Sequence, residues 1–204
     1  MPTILDNLPI QLNIMKRRVV NLTGWEKEVV QGYIYMRDGK DYVNNGQRYD
    51  KAYALLSSAY NYLKQHHPEE HISLAKLSLW KGISLNENLD IQDMVARNDR
   101  AIQEYKTGLQ YLQHVREPVN QVLPVRMSLH NSLGVANHHR YGEHGSGRVP
   151  AISFTHYRIA SEIFKKLPIH PWMMKIMKKV EYNSGGHIHR DGGKRLTGGN
   201  CSYV

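Results

Sequence analysis

From residue 49 to residue 141, apolar side chains return every three or four positions, the period of an α-helix buried on one side. Tyr53, Leu56, Tyr60 and Leu63 form such a face between Tyr49 and His66. His67-Pro68 closes it, because proline has no N–H with which to continue the helix. Leu74, Leu77, Trp80 and either Ile83 or Leu85 mark a second helix between Ile72 and Leu85. The polar stretch Asn86 to Asp93 separates it from a third, Ala96 to Val115, with Ile102, Tyr105, Leu109 and Leu112 in register. A fourth runs from Gln121 to Tyr141, with Pro124 placed to kink it.

Beyond the Gly- and His-rich loop Gly142 to Arg148 the period continues, now with a basic opposite side. Ile152, Ile159, Ala160, Ile163, Phe164 and Leu167 fall on one face; Arg158, Lys165 and Lys166 fall on the other. Pro168 and Pro171 interrupt the pattern, and Pro171 suits the first turn of a new helix. There Trp172, Met173, Ile176, Met177 and Val180 form one face and Lys175, Lys178 and Lys179 the other. Between Ala151 and Tyr182 only Glu162 and Glu181 are acidic. A solvated helix face ordinarily mixes signs, so two successive basic faces suit a polyanion.

The first 48 residues follow other rules. Pro2 and Pro9 punctuate a short apolar run that leads into Lys16, Arg17 and Arg18, the pattern of an arm whose apolar residues need a surface to dock on. Gly32-Tyr-Ile-Tyr-Met, Arg37-Asp38-Gly39-Lys40 and Asp41-Tyr42-Val43 predict a small hairpin over 32–43, with Asp-Gly supplying the positive φ angles of its turn. The tail from Gly185 carries three Gly-Gly pairs among His187, His189, Arg190, Lys194 and Arg195, too little apolar surface for a core. The expected fold is therefore mainly α: an extended N-terminal arm and turn-rich segment over 1–48, a helical bundle over 49–182 and a Gly/His/basic tail over 183–204.

Composition sharpens the reading. A chain of 204 residues with 41% hydrophobic content can bury one good core. Its net charge of +9 is uneven: residues 121–204 carry twelve Lys and Arg against four Asp and Glu. That favours nucleic acid or an anionic surface over a small neutral ligand. Cys201 is the only cysteine, so no intrachain disulfide and no cysteine metal cage can form. The opening residues lack the layout of a secretory signal, and a soluble intracellular protein is expected.

Candidate chemistry is sparse. His138-His139 with His144, and His187 with His189, are the tightest groups among the twelve histidines, and neither has zinc-site spacing. No nucleophile elbow, phosphate loop, dinucleotide fingerprint or HExxH is present. The expectation is a non-enzymatic protein without cofactor or metal. Thirteen tyrosines against two phenylalanines suit half-wet surfaces such as subunit contacts and sugar–phosphate backbones.

The segment THYRIASEIFKKLPIHPWMMKIMKKVEYNSGG, residues 155–186, resembles the closing helix–Pro–helix–Gly region of the major coat proteins of rod-shaped and filamentous archaeal viruses, the rudivirus and lipothrixvirus group. That resemblance implies a virion subunit, made in the host cytoplasm, that dimerises with itself or a paralogue. It would wrap linear double-stranded DNA in A-form and polymerise into a helical filament, with membrane contact an open question. The nucleic-acid contacts would fall to Lys16, Arg17, Arg18, Arg37, Lys40, Arg48, Lys51, Arg158, Lys165, Lys166, Lys175, Lys178 and Lys179, and subunit contacts to Leu5, Leu8, Ile10 and Leu12.

A second likeness covers residues 71–142. HISLAKLSLWKGISLNE, RNDRAIQEYKTGLQYLQ and VRMSLHNSLGVANHHRYG resemble, in order, the helices of the microtubule-interacting and trafficking domain, and tetratricopeptide repeats give similar patterns. This likeness implies a helical adaptor that grips partner helices.

Overall fold

The computed structural model describes residues 5, 16, 19–38, 45–88, 94–115, 119–141 and 149–167. Six α-helices account for most of them: α1 Gly24–Asp38, α2 Asn45–His66, α3 His71–Glu87, α4 Met94–Gln113, α5 Val119–Tyr141 and α6 Ala151–Phe164. A 3-10 turn, Val19–Asn21, precedes α1. The chain divides into two compact units, residues 1–115 and 116–204.

In the first unit α1 pairs with α2, α2 with α3 and α3 with α4, and α3 also touches α1. Helix α3 is the shared element. Between Ser73 and Asn86 every residue except Lys76 is buried, polar side chains included. A helix so enclosed shows little one-sided pattern. Tyr33 of α1 meets Trp80 of α3 edge to face, centroids 4.6 Å apart. Each fully buried large apolar side chain, Leu56 and Leu74 among them, contributes about 2 kcal/mol of transfer free energy. In the second unit α5 and α6 pack together around Met127, Ala160, Ile163 and Leu167.

The expected hairpin over 32–43 is not formed: residues 32–38 belong to α1, and 39–43 lie outside the described residues. Tyr33, Ile34 and Tyr35 have strand-forming side chains. Burial of Val29, Val30, Gly32, Tyr33 and Met36 at helical spacing overrides that local preference. Gly24, with φ of 55°, makes the left-handed turn that starts α1. No strand occurs among the described residues. Residues 24–38, inside the segment expected to hold the arm and turns, are thus helical, and Asn45 and Gly46 open α2.

The two units repeat one packing design. On the second helix of each hairpin, small and large side chains, buried or half-buried, alternate at steps of four, three and four. The sets are Ala52, Leu56, Ala59, Leu63 on α2; Ala101, Tyr105, Gly108, Leu112 on α4; and Ser153, Tyr157, Ala160, Phe164 on α6. The first large residue of each set lies against a glycine of the preceding helix. Leu56 faces Gly32, Tyr105 faces Gly82 and Tyr157 faces Gly134, so a Cβ at any of the three would collide. Glycine is what lets those helix pairs approach.

Candidate functional site

Along the meeting of α2, α3 and α4 runs a seam of polar and aromatic side chains. Lys81 of α3 is buried, and its Nζ lies 3.0 Å from Glu104 Oε1 of α4. It also sits 4.3 Å from the ring centre of Tyr60 and 5.6 Å from that of Tyr53, both on α2. Ring faces carry negative potential, so the ammonium is surrounded by complementary surfaces. Tyr53 donates its hydroxyl to Glu104 at 3.2 Å, and the Arg100 guanidinium lies over the same ring.

The seam continues at both ends. The hydroxyls of Tyr60 and Tyr111 share a hydrogen bond of 2.7 Å. Burial, and then that bond, hold the Tyr60 hydroxyl well above its ordinary pKa. At the other end Asn88 donates to Asp50 at 2.7 Å, and the buried Arg97 donates to the Asn88 carbonyl, also at 2.7 Å. These bonds join α2 to the α3/α4 hairpin through groups that must be matched once water is excluded. Sequence reasoning passed over Lys81; its signal was a lysine set inside the apolar run Leu77 to Leu85.

The expected cationic residues are divided. Arg37 and Lys51 are exposed on α1 and α2. Arg48 is half-buried and engaged with other groups. Lys16 pairs with Asp38, 2.8 Å away, with 36% of its side chain exposed. Arg158, Lys165 and Lys166 are exposed on α6 and the turn that ends it, where Lys165 pairs with Glu162 at 3.0 Å. The hydrogen bond from Lys165, with its charge, keeps the Glu162 carboxyl below the ordinary carboxylate range. Arg17, Arg18, Lys40, Lys175, Lys178 and Lys179 lie outside the described residues, as do Leu8, Ile10 and Leu12. Leu5, expected at a subunit contact, is fully buried in its own chain and has no surface to offer a neighbour.

Two further groupings were not visible in the sequence. Tyr62 of α2 stacks on His66 at 4.3 Å and lies nearly parallel to Trp25 of α1 at 6.3 Å, with Tyr62 40% exposed. In the second unit His130 of α5 and His156 of α6 meet Nδ1 to Nδ1 at 3.1 Å. Burial first, then His156 and Arg126, push His130 down to about 4. Among the described residues no three His, Cys, Asp or Glu side chains are grouped to hold a metal ion. None of the described helices is long and apolar enough to cross a membrane. Comparison with protein families, with curated proteins and with solved structures found no match to this chain.

Proposed function

We propose that the protein is a non-enzymatic binding scaffold of helical hairpins that grips an acidic, helical segment of a partner protein. One observation carries this reading: the small-against-large register repeated on α2, α4 and α6 against Gly32, Gly82 and Gly134. Within the first unit the two hairpins pack together through α2 and α3, and helical hairpins of this kind leave long helix surfaces for other chains. Such surfaces take amphipathic helices by their apolar side, with charge deciding which ones. The exposed Arg37, Lys51, Arg158 and Lys166, and the net charge of +9, select for acidic partners.

A second reading rests on α6. Arg158, Lys165 and Lys166 form an exposed ridge with Glu162 as its one acid, a footprint suited to phosphates. On this reading the protein is a coat subunit that packages double-stranded DNA in a virion without regard to sequence.

Fluorescence anisotropy with two labelled probes separates the readings: an acidic amphipathic peptide helix and random-sequence double-stranded DNA, each across a salt series. Saturable peptide binding with a shallow salt slope, and no DNA binding at about 150 mM salt, supports the scaffold. DNA binding that falls steeply with salt, with the peptide inert, overturns it in favour of the coat subunit.

A further inference from the structure

The contact between His130 and His156 has a property that ordinary helix packing lacks. An imidazole nitrogen is either a donor bearing hydrogen or an acceptor with a lone pair. Two Nδ1 atoms 3.1 Å apart can therefore be bonded only when one bears a proton and the other does not. When both rings are imidazolium, each Nδ1 bears hydrogen, so two N–H groups and two positive charges face one another.

The position of the pair matters as much as its chemistry. His130 lies one turn before Gly134 on α5, and His156 immediately precedes Tyr157 on α6. Gly134 and Tyr157 mark a close approach of the two helices, where no Cβ fits. Repulsion between the rings acts beside that contact, and the buried Ala160 and Ile163 follow on the same helix. The groups acting on His130 are Arg126, one turn earlier on α5, and His156 from α6, and both bring positive charge. Both rings are half-buried, so protons from solvent reach them.

We propose that the His130–His156 contact is an acid-sensitive latch on the α5/α6 hairpin, closed while one Nδ1 donates its proton to the other and opened when both rings are imidazolium and neither Nδ1 can accept. Opening takes Tyr157 off Gly134 and exposes the apolar face of α6. Neutral conditions keep the hairpin shut; acidification releases α6 ahead of the rest of the chain. The latch stands independently of what the protein binds.

Amide hydrogen exchange on the full chain, at pH 7.5 and pH 4.5 with rates corrected for intrinsic pH dependence, tests the latch. The expected result is at least a tenfold greater loss of protection in α6 than in α3 in the unmodified protein. That excess should be absent in His130→Asn and in His156→Asn. Equal acid loss in α3 and α6, or an undiminished excess in both variants, overturns the proposal. Should either variant fail to fold at pH 7.5, an NMR titration of the unmodified protein's imidazole signals decides. Protonation of both rings with α6 still protected overturns the latch, and loss of α6 protection in step with the second proton supports it.

Discussion

Lys81 and Glu104 oppose each other across the α3–α4 contact, Nζ to Oε1 at 3.0 Å, with 9% and 17% of their side chains exposed. Removing one partner strands the other charge where little water reaches it, a change that costs on the order of 3–5 kcal/mol. The residual exposure of Glu104 puts this pair at the low end. Lys81→Met should lower stability in urea unfolding by about 3 kcal/mol. Adding Glu104→Leu should restore most of the loss; a double variant no better than the sum of the two single changes would mean the pair is not coupled.

Alanine at Gly82 or Gly134 should destabilise although alanine is the better helix former. The propensity gain is about 1 kcal/mol, while a methyl group driven into the Tyr105 or Tyr157 ring forces a packed helix pair apart at about 1–3 kcal/mol or more. Gly32→Ala should cost less, because its nearest neighbour, Leu56 Cγ, would lie 2.9 Å from the new methyl group, against 2.3 Å for the ring carbons facing Gly82 and Gly134. Melting temperatures of the three variants give the ranking directly.

Acid should weaken the folded state through His130. Its folded value of about 4 lies below the ordinary 6.5, so the unfolded chain takes up the proton first. The stability held by the neutral ring is complete above about pH 6.5, declines as pH falls and is fully lost below about pH 4. Partial screening by solvent reduces the shift to about 2 kcal/mol. Urea unfolding at several pH values should show a flatter curve over this window for His130→Asn than for the unmodified chain.

The α6 ridge offers a test of the DNA reading that does not depend on the residues outside the described helices. If the ridge meets phosphate, Arg158→Ala with Lys166→Ala should reduce the salt slope of DNA affinity by about two units, roughly one for each phosphate no longer neutralised. Lys16→Ala should lower the slope by less than about one unit, because the Asp38 carboxylate competes with phosphate for that charge. Both slopes come from titrations between roughly 50 and 300 mM salt, the range over which phosphate neutralisation dominates.

The central helices were legible because they are amphipathic. Tyr53, Leu56, Tyr60 and Leu63 announce α2, and Ile102, Tyr105 and Leu112 announce α4, both close to their observed bounds. Helix α1 was misread because Tyr33-Ile34-Tyr35 favours a strand locally and only its burial against α2 and α3 makes it helical. The repeated register escaped notice because its positions hold different residues, Leu56 in one hairpin and Tyr105 or Tyr157 in the others. Equivalence appears when each is seen against its glycine. The contact between His130 and His156 left no trace in one dimension, since the two residues meet only where α5 and α6 pack together.

Helix α3 has almost no outer face: from Leu77 to Asn86 all its residues are buried. Nearly every substitution there must satisfy several neighbours at once, whereas Lys51, Ala54, Ser58, Asn61 and Gln65 on α2 are exposed. A saturation library scored for folded protein should therefore show a block of intolerance over α3 beside a permissive stripe on α2. New binding specificities can be grafted along that stripe, and α3 will keep its sequence while they change.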